Sequence, residues 1–316
     1  MNKKLQLALI AGGKSGERDV SLAGAKGVLA ALDREKYDIH QYDPAVDLER
    51  LARDAEKLDV AFILLHGPLG EDGSMQGFLD LLGLPYQGAG VLGSALAMDK
   101  NLAKILYRLA GLPVAGWLMA TPGDIARPGD LSGKLGFPLV VKPVAQGSSL
   151  GMSIVYGDKE LAAALEKAFS FDDTVMVEQY VKGREITVGV LGNDALTALP
   201  LVEIITGKEH PFFDYTAKYT PGATVEICPA DFPDDIRMRA QDYGLQAHKA
   251  LKLKGYSRTD MIVAEDGGIT VIETNTIPGM TPTSLLPQAA KEYGLSFSQL
   301  LDRLIELTLE KKQLYS

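Results

Sequence analysis

Cysteine occurs once, at Cys228, so no internal disulfide can staple the fold, and a reducing compartment fits. No apolar run approaches the ~20 residues that a membrane-spanning helix needs. The first apolar run, Leu5 to Ala11, is strand-length and stops at Gly12-Gly13. A secretory signal needs a longer apolar region and a small-residue cleavage site. The expectation is a soluble cytoplasmic protein with no membrane partner. Positive charge is in deficit: 32 Lys and Arg stand against 41 Asp and Glu, a formal net charge of −9. That balance argues against a broad nucleic-acid surface, but it permits a locally basic site for an anionic ligand. Two phosphate motifs are also missing. Gly13-Lys14-Ser15 imitates the end of a P-loop, but the motif's first glycine would fall at Ala8. No G-x-G-x-x-G follows the first strand, which disfavours a dinucleotide-binding dehydrogenase.

Apolar material is ample: 46% of the 316 residues are hydrophobic and 23% charged, enough for two or three domains. Leu5–Ala11 and Val60–Leu65 read as buried strands. Leu22–Leu32, capped by Asp19 or Ser21, and Met75–Leu82 read as helices. This alternation predicts a parallel α/β unit. A helix over Met98–Ala110 carries Lys100 and Lys104. The Gly/Pro/Asp-rich stretch 121–133 reads as a loop. PLVVKP and GMSIVY then form a hairpin around a Gly/Ser loop. Further strands are expected at Val175–Val181, 185–191, 196–205 and 224–227. Helices are expected at Lys159–Ala168, Asp235–Lys252 and Ser298–Leu309. Boundaries near 96 and 184 divide the chain into 1–96, 97–184 and 185–316.

The closing hairpin, about 256–274, is the most informative stretch. A turn at Asp266-Gly267, or a loop over 265–268, pairs residues whose numbers sum to 533 and sets Asp260 opposite Glu273 and Arg258 opposite Asn275. Like charges directly opposite destabilise a sheet. A divalent cation between them removes the objection, and all-oxygen donors from Asp260, Glu273 and Asn275 suit Mg²⁺. A solvated face with staggered register is the alternative, and a Gly267-Gly268 turn would place Asp260 opposite Asn275 instead.

The loop KPVAQGSSLGM, residues 142–152, offers bare backbone N–H groups, hydroxyls and Lys142, with Lys100 as a second cation. It can fold over phosphates; an ordinary hairpin turn is the plainer alternative. Glu178-Gln179-Tyr180-Val181 at a strand end can meet adenine, or simply end a strand. Glu17 and Arg18 sit at the carboxyl end of the first strand, where α/β units commonly bind ligands. His66 follows a buried run. The aromatic loop 210–222 is a lid, or packs on its own domain.

Together the strings GGKSGERDVS, LLHGPLGEDGSMQG, MDK, VVKP–QGSSLGM, EQYVKGREITVGV, FFDYTAKY, SRTDM and ETNTIPGMTPTSL resemble the D-alanine–D-alanine ligases of the ATP-grasp superfamily. They stand in the family's order and cover nearly the whole chain. The resemblance implies a mixed α/β and α+β ATP-grasp fold of three domains. An N-terminal parallel α/β domain precedes two antiparallel sheets that grip ATP. It implies ATP-dependent joining of two D-alanines through D-alanyl phosphate, for peptidoglycan precursors and hence cell-wall biogenesis and cell shape. ATP and D-alanine are then the small-molecule partners, with two Mg²⁺ (or Mn²⁺) ions on Asp260, Glu273 and Asn275. A homodimer is implied as well.

The resemblance also assigns roles. Lys100, Lys142, Ser148, Ser149 and Lys218 would contact nucleotide phosphates. Glu178, Tyr180, Val181 and Glu185 would contact adenine and ribose. Glu17 would hold the first ammonium in a network with Ser148 and Tyr219, with His66 nearby. Arg258 and the Gly279 N–H would form the oxyanion site. Lys218, Ser284 and Leu285 would bind the second carboxylate. Two positions depart from the family pattern: Gln146 stands where Glu is common, and Phe213 replaces a Tyr. The alternatives are a ligase that adds D-lactate, D-serine or another amine, or a nucleotide sensor without catalysis.

Overall fold

A computed structural model of the chain describes residues 3–207 and 224–310. Strands β1 (Leu5–Ile10), β2 (Tyr37–Tyr42) and β3 (Val60–Ile63) form a parallel sheet in the order β2-β1-β3. Helix α1 (Arg18–Ala31) links β1 to β2, and α2 (Leu48–Asp54) links β2 to β3. Helix α1 starts four residues before the expected Leu22. Ser21 lies inside it, and its hydroxyl accepts a hydrogen bond from the Gly12 N–H at 2.8 Å instead of capping a helix end.

Helices α3 (Ser74–Leu81), α4 (Val91–Met98) and α5 (Lys100–Leu109) follow. Asp99 separates the last two, and its side chain accepts from the Leu102 N–H to cap α5. Beyond them lies a sheet of β4 (Trp117–Ala120), β5 (Leu139–Pro143), β6 (Ser153–Val155) and β7 (Val175–Gln179), in the order β4-β7-β5-β6 and antiparallel throughout. The 121–133 stretch is not a plain loop. It holds a 3₁₀ turn over Pro122–Ala126, opened by a Thr121/Asp124 capping box, and helix α6 (Gly129–Leu135). Helix α7 (Asp158–Phe169) covers the sheet with Leu161, Leu165 and Ala168.

The largest sheet holds β8 (Arg184–Gly192), β9 (Thr197–Ala198), β10 (Val202–Thr206), β11 (Thr224–Ile227), β12 (Gly255–Val263) and β13 (Ile269–Asn275), in the order β11-β10-β8-β12-β13 with β9 on β8. The expected strand 196–205 is thus two strands. Helices α8 (Asp234–Ala250), α9 (Leu285–Glu292) and α10 (Phe297–Glu310) pack on it. One core unites Leu7, Leu9 and Phe62 of the first sheet with Leu300, Leu304 and Ile305 of α10 and with Tyr256 and Met280. Ile277, just past β13, is buried in the core on the other side of the first sheet. The first and last thirds of the chain are thereby fixed to each other, which holds the β13 exit against the loops after β1 and β3. Among the described residues no helix is long and apolar enough to cross a membrane.

Candidate active site

The β12–β13 hairpin sets the centre. Arg258 lies opposite Asn275 and Asp260 opposite Glu273, as expected, but the register that does this is not the one at the turn. From Met261 onward the pairs are Met261↔Val271 and Val263↔Ile269, so Ile272 is an extra residue on β13. Extended straight, the turn-side register would set Asp260 against an isoleucine. The bulge restores the carboxylate pair, a re-aiming that bulges near active sites commonly perform. It falls in the strand body, so the turn residues give no sign of it.

The carboxylates are buffered by cations. Arg258 grips Asp260 through two hydrogen bonds of 2.9 Å, from Nε and Nη2. Burial alone would weaken the guanidinium's charge, but Asp260 outweighs it and the pKa is raised. Glu273 lies 3.7 Å from the Lys100 ammonium. Lys100 also donates to the Gln146 carbonyl at 2.7 Å, which ties the start of α5 to the Gly/Ser loop. Among the described residues no group of three or more His, Cys, Asp or Glu forms a metal cluster. The set is two carboxylates and one amide, which matches Mg²⁺, an ion that keeps waters and takes phosphate oxygens. Asp260 and Glu273 lie directly opposite each other, and Asn275 stands two residues past Glu273 on the same face of β13, a placement that fits such an ion.

The Gly/Ser loop closes on the end of β1. Ser148 Oγ donates to Glu17 Oε1. Glu17 is 6% exposed, and a Cβ at Gly147 or Gly67 would stand 2.7 or 2.8 Å from its other oxygen, so a side chain at either place would have to push the carboxylate aside. Ser148 and Ser149 hold φ of 49° and 56°, a left-handed conformation that costs non-glycine residues about 1–3 kcal/mol each and clusters at ligand clamps. His66 is buried nearby, and burial pushes its imidazole below the ordinary value, hence neutral.

Two contiguous cavities meet here. The first, about 660 Å³, is lined by Glu17, His66, Arg258, Asn275, Gly279 and Ser284, among others. The second, about 150 Å³, lies between the two antiparallel sheets; Lys142, Tyr180, Val181, Glu185, Asp260 and Glu273 are in its lining. Lys100, Gln146, Ser148 and Glu273 belong to both. The apolar walls of the second, Met152, Ile154, Ile262 and Ile272, suit a flat heterocycle. Ser284 sits at the start of α9 beside Leu285, its hydroxyl in contact with Thr281. Lys218 and Tyr219 lie outside the described residues, as do Phe213 and the expected 210–222 lid.

Other side chains were not singled out as site residues from the sequence. Lys104 is fully buried, 2.7 Å from Glu178, whose other oxygen is 2.5 Å from Lys142. Burial alone would raise the Glu178 carboxyl, but the two lysines outweigh it and hold it below the ordinary value. Glu178 is the penultimate residue of β7, where the strand end was expected; its backbone pairs with Trp117 on one side and Val140 on the other, and it joins Tyr180 and Val181 in the lining of the smaller cavity. Glu71 lines the larger cavity, and its oxygens accept from the Gly67 N–H at 2.7 Å and the Ile277 N–H at 3.4 Å. Burial, reinforced by the charge of Glu17, pushes its carboxyl up to about 8. The one sequence signal for Lys104 and Lys100 together was their four-residue spacing on one helix.

The site's geometry can be set beside known proteins. The family model described as D-ala D-ala ligase C-terminus matches residues 106–306, and that described as D-ala D-ala ligase N-terminus matches 40–89. A D-alanine–D-alanine ligase of Desulfotalea psychrophila is 58% identical over 312 residues, covering 98% of this chain and 97% of that protein. The crystal structure of D-alanine–D-alanine ligase from Bacillus anthracis complexed with ATP superposes with a TM-score of 0.86 at 36% identity, covering 99% of this chain and all of that one. A VanG D-Ala:D-Ser ligase from Enterococcus faecalis gives a TM-score of 0.84 at 34% identity, covering 97% of this chain and 100% of that one.

Proposed function

The chain belongs to the D-alanine–D-alanine ligase family and joins two D-alanines at the expense of ATP, and we propose how its own residues divide that work. The observation that supports the division is the meeting of the two cavities at Lys100, Ser148 and Glu273. A carboxylate is a poor electrophile because its leaving group would be oxide. The first D-alanine carboxylate therefore attacks the γ-phosphorus, which gives D-alanyl phosphate and ADP. The second amine then attacks the acyl carbon, and phosphate leaves.

Glu17, fixed by Ser148, holds the first ammonium, with neutral His66 beside it; Tyr219 is assigned to the same network. Lys100, Lys142, Ser148 and Ser149 face the phosphates, a role also assigned to Lys218; Lys142 keeps its bond to Glu178 and offers its remaining donors. Tyr180, Val181 and Glu185 meet adenine and ribose. Glu178 works from behind, as the counter-ion that holds Lys142. Asp260, Glu273 and Asn275 would hold Mg²⁺, which would supply the positive charge that the transferred phosphoryl group requires. Arg258 and the Gly279 N–H hold the tetrahedral oxyanion. Ser284, Leu285 and Lys218 receive the second carboxylate. The loop around Ser148 covers the centre and keeps water from the acyl phosphate.

We place the three units at 1–96, 97–184 and 185–316. We also place the enzyme in the cytoplasm, where ATP is made, as a homodimer. Exposed Leu81, Val91 and Leu92 on α3 and α4 offer an apolar face for a second copy. Its acidic net charge suits small-molecule partners over nucleic acid. The test is ADP release with D-alanine alone, then with L-alanine, D-serine and D-lactate added in turn. D-alanine alone should sustain turnover, with dipeptide and ADP in equal amounts. Faster turnover with D-serine would favour the D-Ala:D-Ser activity of the Enterococcus relative.

A further inference from the structure

Strand β11 is turned against the usual pattern. Thr224 and Glu226 face the larger cavity, while Val225 and Ile227 point outward at 58% and 37% exposure. An edge strand selected for packing alone would send valine and isoleucine inward. The inward polar pair therefore marks a wet, ligand-facing wall. Four glutamates line that cavity: Glu17, Glu71, Glu226 and Glu273. Three of them are engaged elsewhere. Glu17 bonds Ser148, Glu71 accepts two backbone N–H groups, and Glu273 faces Lys100.

Glu226 is different. Its Oε2 accepts from Gln288 Nε2, which also donates to the Thr283 carbonyl at 2.6 Å. The Gln288 N–H bonds the Ser284 carbonyl at 3.0 Å. Gln288 therefore fixes the Glu226 carboxylate to the turn that presents Ser284. Burial pushes that carboxyl above its ordinary value, against the Gln288 hydrogen bond and the Arg258 charge. Among the described residues no lysine or arginine forms an ion pair with it. A partly buried carboxylate of this kind gains most from a cation that arrives with the ligand.

We propose that Glu226, steadied by Gln288, receives the ammonium of the second amino acid while Ser284 receives its carboxylate, and takes the proton that this nitrogen must lose before it attacks the acyl carbon, so that the acceptor subsite selects amino acids over hydroxy acids. This rests on the ligase function above. A zwitterion then meets a negative wall at one end and a helix start at the other, whereas D-lactate has no cation to place at Glu226.

The test compares wild type with Glu226→Gln, which keeps size and removes charge, by steady-state ADP release. Loss of one charge-assisted contact corresponds to about a tenfold change. The acceptor KM for D-alanine should rise about tenfold, and the preference for D-alanine over D-lactate should fall by a similar factor. The KM values for ATP and the first D-alanine should stay within about twofold. Glu226→Asp, should the glutamine variant fold poorly, should show a smaller rise in the same constant. An unchanged acceptor KM and unchanged preference in either folded variant would overturn the proposal. No ADP release by the wild type with D-alanine would instead overturn the ligase function, and this assignment with it.

Discussion

Glu178 sits 4% exposed between two lysines, so replacing it with glutamine should destabilise the central sheet far more than replacing Lys104 with methionine. In the wild type one carboxylate faces two ammoniums at 2.7 and 2.5 Å, and the Lys104 and Lys142 side chains are 0% and 6% exposed. Glu178→Gln leaves two buried positive charges with no negative partner. Removing one partner of a buried ion pair costs about 3–5 kcal/mol, because the remaining charge cannot reach water. Lys104→Met leaves a one-to-one pair, Glu178 with Lys142, and removes a charge that burial already disfavours. Its cost should be well below that of Glu178→Gln. Trp117 is the only tryptophan. It lies opposite Glu178 in the sheet, with the Lys104 ammonium 5.2 Å from its ring centroid. Urea unfolding followed by tryptophan fluorescence therefore reports this cluster directly. ATP should recover part of the loss in Glu178→Gln, since polyphosphate supplies the missing negative charge and binding stabilises the folded state. A glutamine variant with a wild-type midpoint, or a Lys104→Met variant that loses more, would refute the reasoning.

Arg258→Ala should retain ATP binding by calorimetry but lose dipeptide formation by about 10²–10³, the usual effect of removing an oxyanion donor. His248 is 1% exposed, its Nδ1 2.8 Å from Ser257 Oγ, and burial holds its imidazole at about 4. The folded value lies below the unfolded one, so the unfolded state takes up the proton first and stability falls as pH drops from about 6.5 to about 4. That term is worth about 3 kcal/mol by pH 4; a His248→Gln variant should show a correspondingly flatter urea midpoint over the same range.

The apolar strands were legible because burial on both faces leaves continuous runs, as in Val60–Ile63. The closing hairpin was legible because Glu265-Asp266-Gly267-Gly268 marks its turn. Strand β2, YDIHQY, was not: three of its four middle residues, Asp38, His40 and Gln41, are polar and partly or fully exposed, and only pairing with β1 makes it a strand. Helix α6 was hidden by the Gly and Asp content of GDLSGKL, which matches turn chemistry as well as a helix. The Ile272 bulge was invisible because β12 is also held by β8 from Gly255 to Val263, a constraint distant in sequence. The same distance hid the Glu178 trio, which joins α5, β5 and β7. The roles of Glu17, Lys100, Arg258 and Ser284 came from ordered motifs; spacing alone left Glu17 a loop charge, offered Lys100 as a second phosphate cation and set Arg258 opposite Asn275, while Ser284 carried no signal of its own.

The measurement that bears most directly on the centre of this account is a Mg²⁺ titration of ATP-driven dipeptide synthesis in the wild type and in Asp260→Asn. Weakening one carboxylate of a three-oxygen site should raise the half-saturating Mg²⁺ at least tenfold, with maximal rate largely restored at high Mg²⁺. Superimposable titration curves would contradict the placement of the metal between β12 and β13.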